Sequence, residues 1–312
     1  VADRDRAHVA DRLAALVAER ESQIVLGLDP DPERLWPAEA RHGGAGASLD
    51  PDTAPAARAA AAVLDHCRAV IDAVAPAVVA VKPQVACFER LGAPGWAALA
   101  AVADHARAAG LFVLADGKRG DIDVTATAYA QGFFTGGAVD GLHADALTVN
   151  PYMGLDTLRS FAAVSRAADG GLFALVRTSN PGAADLMDEP LQRGGTVWER
   201  VAELVDELGA EHRAPQSGLA DVGAVLGATQ PQHLARAREL LPHAIFLLPG
   251  VGAQGGRVED LAPAFAPGRA AGLVTASRSI VRAHERSGAH AAPADAARAE
   301  AERLRAAAWA LA

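Results

Sequence analysis

Residues 114 to 130 read Leu-Ala-Asp-Gly-Lys-Arg-Gly-Asp-Ile-Asp-Val-Thr-Ala-Thr-Ala-Tyr-Ala, which gathers Asp116, Lys118 and Asp121 into one short stretch. Two acids around an ammonium keep that ammonium charged and hold a proton ready for delivery, chemistry suited to a reaction that creates a carbanion. The apolar run 111–115 lies between Gly110 and Gly117 and is too short for a typical helix, so it predicts a buried strand. Side chains two apart on a strand share a face, so Asp116 and Lys118 are expected to leave its tip together, roughly 7 Å apart along the backbone. Gly120 permits a sharp turn, and Asp123 or Thr125 is expected to cap the helix that begins at Thr125. A solvated loop with a surface ion pair is the plain alternative. What counts against it is the set of residues at the other strand ends.

Those ends need elements to carry them, and the chain supplies a regular alternation. Residues 7–20 place Val9, Leu13 and Val17 at helical spacing, a lead-in helix packed on the body. Strands are expected at 23–28, 77–81, 111–115, 146–149, 172–176, 222–226, 245–248 and 272–275. Helical sequence is expected at 56–73, 95–109, 196–208, 232–241 and 294–311. Residues 30–55, rich in Pro, Gly and Asp, read as a long loop in which Gly43, Gly44 and Gly46 are flexible. Eight apolar strands without clean polar alternation, separated by helices, predict a single-domain α/β fold over residues 1–312. It is a (β/α)8 TIM barrel with an N-terminal lead-in helix and a C-terminal helix. An open doubly wound sheet would show a glycine-rich nucleotide turn after its first strand, and Leu28-Asp29-Pro30 is not one.

In a barrel the carboxyl ends of the strands converge on one mouth. Here they are Asp29, Lys82, Asp116 with Lys118, Asn150, Ser179, Thr229, Pro249 and Arg278, a polar ring on apolar staves. The ends of strands seven and eight commonly hold phosphate in this architecture. The seventh opens into 249–256, Pro-Gly-Val-Gly-Ala-Gln-Gly-Gly, and the eighth delivers Arg278, whose planar fork suits phosphate. Lys82 and Lys118 stand where a divalent cation would need carboxylates, and the ten histidines show no paired spacing and mostly read as surface residues. No metal and no organic cofactor are therefore expected.

Composition narrows the partners. The 312 residues are 51% hydrophobic and 21% charged, which excludes a disordered chain, and no apolar run approaches a bilayer's thickness. The charged N-terminus leads into an amphipathic pattern rather than a signal peptide, so a cytoplasmic location is expected. A net charge of −9 argues against nucleic acid but leaves room for a small phosphorylated ligand in a local basic pocket. Cys67 and Cys87, the only cysteines, read as inert packing residues.

The pattern Asp-x-Lys-x-x-Asp-Ile-x-x-Thr, present as Asp116 to Thr125, resembles the signature of orotidine 5′-phosphate decarboxylases. The extended Asp-x-Lys-Arg-Gly-Asp-Ile form is similar to the longer-chain, type 2 branch. The likeness runs from Leu26-Gly-Leu-Asp29 through Val81-Lys-Pro-Gln84, Asn150-Pro-Tyr152, Arg177-Thr-Ser-Asn-Pro181 and 249–256 to Ser277-Arg278. It implies decarboxylation of orotidine 5′-monophosphate to uridine 5′-monophosphate without a cofactor, in pyrimidine biosynthesis. On that likeness Lys118 donates the proton, Asp116 lies beside the departing carboxylate, and Lys82 and Asp29 bind ribose hydroxyls. Ser179 contacts the pyrimidine, and Pro249, Gln254 and Arg278 serve the phosphate. Asp121, Ile122 and Thr125 reach a neighbouring subunit's site, implying a homodimer with shared sites. Two positions depart from the pattern: Gly117 stands where alanine is expected, and Asp123 where glycine is. Two other readings stay open: a metal-dependent sugar-phosphate enzyme of the same architecture, and a non-catalytic nucleotide binder.

Overall fold

Eight short apolar segments pair in parallel, each with its neighbours in sequence, and the eighth closes on the first to complete a barrel. The computed structural model describes residues 7–41, 54–134, 141–252, 255–286 and 292–312; Gly43, Gly44, Gly46 and Gln254 lie outside them. The strands are β1 (Ile24–Leu28), β2 (Ala80–Pro83), β3 (Phe112–Arg119), β4 (Ala146–Val149), β5 (Gly171–Arg177), β6 (Val222–Leu226), β7 (Phe246–Pro249) and β8 (Gly272–Ala276). The helices before the fifth strand are α1 (Val9–Arg20), α2 (Pro55–Val74), α3 (Val85–Glu89), α4 (Ala93–Ala108), α5 (Asp123–Phe133) and α6 (Leu155–Ala167). After it come α7 (Val197–Ala210), α8 (Gln232–Leu240), α9 (Arg278–Val281), α10 (Ala283–Arg286) and α11 (Pro293–Leu311). This is the (β/α)8 barrel that the alternation predicts.

Alternation along each stave sorts the core into two shells. One face of the strands packs under the helices; the other, with Val25, Ala80, Leu114, Ala146, Phe173 and Leu247, fills the barrel's interior. Helix α1 belongs to the inner shell. Its Val9, Leu13 and Val17, spaced for one face, are buried in the same cluster, each worth about 2 kcal/mol relative to exposure. Helix α7 starts where the sequence places it because Thr196 and Glu199 form a reciprocal capping box.

Several boundaries move, with consequences for the site. Pro76 sits in a 3-10 turn over Ala75–Ala77, so β2 begins at Ala80 and Lys82 lies within it. Strand β3 runs on through the charged residues to Arg119. Neither Asp123 nor Thr125 caps α5: the cap position is Ile122, whose amide is taken by the Asp121 carboxylate at 2.8 Å, and Asp123 is the first helical residue. The described part of the first long loop is anchored. Trp36 is buried there, its Nε1 donating to the Val281 carbonyl at 2.8 Å and its backbone N–H to His66 Nδ1 at 3.1 Å. His66 is thus an exception to the surface reading of the histidines; burial pushes it down to about 4, neutral and able to accept.

Candidate active site

A cavity of about 720 Å³ opens at the carboxyl ends of the strands. Of the residues singled out from the sequence, Asp29, Lys82, Asp116, Lys118, Ser179, Pro249 and Arg278 line it. Asp121, Ile122 and Thr125 do not: in the single chain Asp121 turns back on the Ile122 amide, and Ile122 is 59% exposed. Within one chain Lys82 joins Asp116 and Lys118, and Asp121 does not. Two members of the strand-end ring also fall outside. Asn150 accepts the Tyr152 amide at 3.0 Å as a turn residue, and the buried Thr229 hydroxyl has no partner among the described residues.

Asp116 is the centre. Its Oδ2 accepts from Lys82 Nζ at 2.5 Å and Gln84 Nε2 at 3.1 Å; its Oδ1 accepts from Lys118 Nζ at 2.6 Å and Thr148 Oγ1 at 2.9 Å. Four donors occupy a carboxylate that is only 5% exposed. Burial alone would raise its pKa, but Lys82 and then Lys118 outweigh burial and hold it well below the usual carboxylate range. Lys82, also buried, shows the converse: burial would lower it, while Asp116 and then Asp29 raise it. Lys118 is different, with 44% of its side chain exposed to the cavity side. One lysine is locked to the acid and the other is accessible.

The lysine reaches back to Asp116 because the strand is not regular there. β3 and β4 pair at Ala115 with Leu147 and again at Arg119 with Val149, with a register shift between. Lys118 takes a left-handed φ of 46°, and its Nζ comes to 2.6 Å from Asp116 instead of standing apart along a straight strand. Thr148 and Gln84 are contacts of Asp116 that sequence reasoning missed. The signal for Thr148 was present: it is the one polar residue in the stave 146–149.

On the β1–β8 side, next to the β2 strand that carries Lys82, Ser277 Oγ donates to Asp29 Oδ2 at 2.6 Å. That approach depends on Gly27, where a Cβ would lie 2.8 Å from the Ser277 Cβ. Pro249, Gly250, Val251 and Arg278 line the same side, where Thr275 contributes a buried hydroxyl without a partner among the described residues. The segment after β5 closes a third side with Ser179, Ala183 and Met187. It is braced from below by a bidentate pair between buried Arg177 and Asp188, both contacts at 2.8 Å. Among the described residues no group of three His, Cys, Asp or Glu comes together as a metal-ion set.

Two lysines, a buried acid and an arginine thus line one cavity at the mouth of an apolar barrel, and comparison with known proteins places the chain in a family. The profile of the orotidine 5′-phosphate decarboxylase / HUMPS family matches residues 22–292. The chain belongs to that family. It is 43% identical over 279 residues to the orotidine 5′-phosphate decarboxylase of Rhodopirellula baltica, covering 89% of each chain. It is 49% identical over 212 residues to that of Deinococcus radiodurans, covering 68% of this chain and 74% of the relative. The solved Leishmania donovani OMP decarboxylase superimposes with a TM-score of 0.68 at 32% identity, over 95% of this chain and 98% of that one.

Membership of the decarboxylase family makes the two departures from its signature interpretable. At Gly117 an added Cβ would lie 3.1 Å from Leu147 Cδ1 and 3.2 Å from Phe133 Cζ, so this chain's own packing occupies the room an alanine methyl would take. Asp123 adopts a left-handed φ of 47°, which suits the glycine expected there and which aspartate tolerates better than most residues.

Proposed function

We propose that this chain decarboxylates orotidine 5′-monophosphate to uridine 5′-monophosphate in pyrimidine biosynthesis, with no metal or organic cofactor. The observation that carries the proposal is the buried Asp116 bridging two lysines, one sequestered and one accessible, inside the cavity that Arg278 also lines. The bond between the pyrimidine carbon and its carboxyl breaks, and the electron pair stays on the ring carbon. Carbon dioxide leaves in that step; Lys118 stabilises the charge and then transfers its proton to it, forming the new C–H bond and leaving the lysine neutral. Asp116 orders Lys118 beside the departing carboxylate. Lys82 and Asp29 take the ribose hydroxyls, Ser179 the pyrimidine, and Pro249, Gln254 and Arg278 the phosphate. Binding energy from the remote phosphate goes to closing the mouth around the ring.

The same reading makes the working unit a homodimer in which Asp121, Ile122 and Thr125 complete a neighbour's cavity. The exposure of Ile122, and of Val124 at 75%, supports it. No helix among the described residues is long and apolar enough to cross a membrane, and the free thiols Cys67 and Cys87 fit a reducing cytoplasm.

The test is the fall in absorbance as orotidine 5′-monophosphate is consumed by protein treated with a chelator. Activity that vanishes on chelation and returns with magnesium favours the metal-dependent sugar-phosphate alternative. Lys118→Ala is expected to lower kcat by about 10²- to 10⁴-fold, while product binding stays within about threefold. Turnover at the parent rate removes Lys118 from its role. A parent chain that binds nucleotide and releases no carbon dioxide is a binder only.

A further inference from the structure

The irregularity that brings Lys118 to Asp116 has a specific support. Between the regular pairs at Ala115 and Arg119, three residues of β3, Asp116, Gly117 and Lys118, stand opposite a single residue of β4, Thr148. A bulge of this kind leaves ladder groups unpaired and bends its strand. A lysine in the left-handed region persists only where its surroundings over-determine it.

We infer that Thr148 is a positioning residue for the reaction, whose hydroxyl sets the geometry between the Lys118 ammonium and the Asp116 carboxylate. Thr148 Oγ1 accepts the Lys118 backbone N–H at 2.9 Å, the amide that the interrupted ladder leaves over. It donates its own hydrogen to Asp116 Oδ1, also at 2.9 Å. The ionised carboxylate only accepts and the amide only donates, so the direction of both bonds is fixed. One hydroxyl thereby holds the backbone of the lysine and the side chain of the acid. Thr148 is 1% exposed, so water does not compete for it.

The far flank of the bulge is held as well. Arg119 Nη1 donates to the Gly117 carbonyl at 2.9 Å, with its guanidinium 5.4 Å from the Tyr129 ring centroid and 5.5 Å from that of Phe133. Thr148 differs from Arg119 in touching both ends of the Asp116–Lys118 pair. Its loss lets the bulge relax towards a regular strand, which carries a residue two positions along roughly 7 Å away. Misplacement on the ångström scale is enough to cost about 100-fold in rate.

The inference rests on the decarboxylase reading, and its test separates the two. Thr148→Val keeps the side-chain shape and removes both hydrogen bonds; Thr148→Ser keeps the hydroxyl and removes the methyl. The valine variant is expected to lose about 100-fold in kcat. Its KM and its Kd for uridine 5′-monophosphate stay within about threefold of parent, because binding is anchored at the ribose and phosphate. The serine variant is expected within about fivefold of parent kcat. A valine variant with kcat within about threefold of parent overturns the inference, as does a serine variant as impaired as the valine one. Should the valine variant fail to fold, Thr148→Ala, which presses no methyl on the carboxylate, carries the same expectations.

If the parent itself releases no carbon dioxide, the decarboxylase reading fails and a crystal structure of Thr148→Val decides the clamp alone. Lys118 leaving positive φ, or its Nζ moving out of hydrogen-bond reach of Asp116, supports it; an unchanged bulge overturns it.

Discussion

Replacing Asp116 with asparagine keeps the side-chain shape and removes the negative charge that Lys82 contacts directly. The Lys82 and Asp116 side chains are 8% and 7% exposed, so the variant strands an ammonium in the barrel interior. Breaking a buried pair from one side costs about 3–5 kcal/mol, far above the worth of a surface pair. The cost has a pH signature. In the parent, Asp116 lies below its ordinary value of 3.8, so its contribution is complete above that pH and is lost as pH falls through the folded value. In the variant, the desolvated and unpaired Lys82 drops below its ordinary 10.5, so the variant regains stability as pH rises through that lowered value towards 10.5. The gap between the two proteins is therefore widest between about pH 5 and 8 and narrows at both ends. Urea unfolding of the two proteins at acid, neutral and alkaline pH measures it, provided the slopes match. Adding Lys82→Met to Asp116→Asn is expected to recover all but about 2 kcal/mol, because Lys118 can turn to solvent. A single variant within about 1 kcal/mol of parent at neutral pH, or a gap that does not vary with pH, refutes the electrostatic account.

Two supports away from the charged centre give further expectations. Asp188→Asn breaks the bidentate brace on Arg177, which is 4% exposed, and loosens the segment carrying Ser179, Ala183 and Met187. It is expected to raise KM by about tenfold and to speed limited proteolysis between residues 178 and 190. Trp36→Phe keeps the ring in its pocket but orphans the Val281 carbonyl at the end of α9, the helix that Arg278 begins. Stability is expected to fall by about 1 kcal/mol. KM should rise about threefold for the phosphorylated substrate and stay unchanged for the nucleoside without phosphate, which steady-state kinetics on both compounds will resolve.

How much of this was legible in the sequence depends on whether the information was local. Strand and helix order follows from period and punctuation, which is why β6 at 222–226 and the helix starting near residue 196 appear where the pattern puts them. The strand-end rule then finds Asp29, Lys82, Asp116, Lys118, Ser179, Pro249 and Arg278, because closure of a parallel barrel sends those ends to one mouth. It fails for Asn150 and Thr229, since a polar residue at a strand end serves its own turn as readily as the mouth. Thr148 stood out in the sequence only as the one polar residue of its stave, and its role was not legible from that. Its value comes from a two-residue slip between β3 and β4, and no pattern within either strand announces a slip in their register. The α5 cap was misplaced because Asp121 uses its carboxylate on the very next amide, a choice set by the tight turn after Gly120. Asp121 itself could not be placed from one chain in any case, because on the proposed reading its partner belongs to the other subunit.

The proposed chemistry also explains why the barrel carries two lysines for one buried acid. When the carboxyl leaves as neutral carbon dioxide, its charge passes to the ring carbon and is then quenched by the Lys118 proton, which leaves that lysine neutral beside Asp116. A buried carboxylate facing only a neutral amine would carry a desolvation cost of several kcal/mol at the moment of proton transfer. Lys82, 2.5 Å from the other oxygen and raised by the same acid, keeps its proton throughout and cancels the charge. Gln84 and Thr148 occupy the remaining acceptor positions on the two oxygens, so Asp116 has neither room nor reason to take the proton back. The direction of transfer, from Lys118 outward to the substrate, is thus built into the saturation of Asp116.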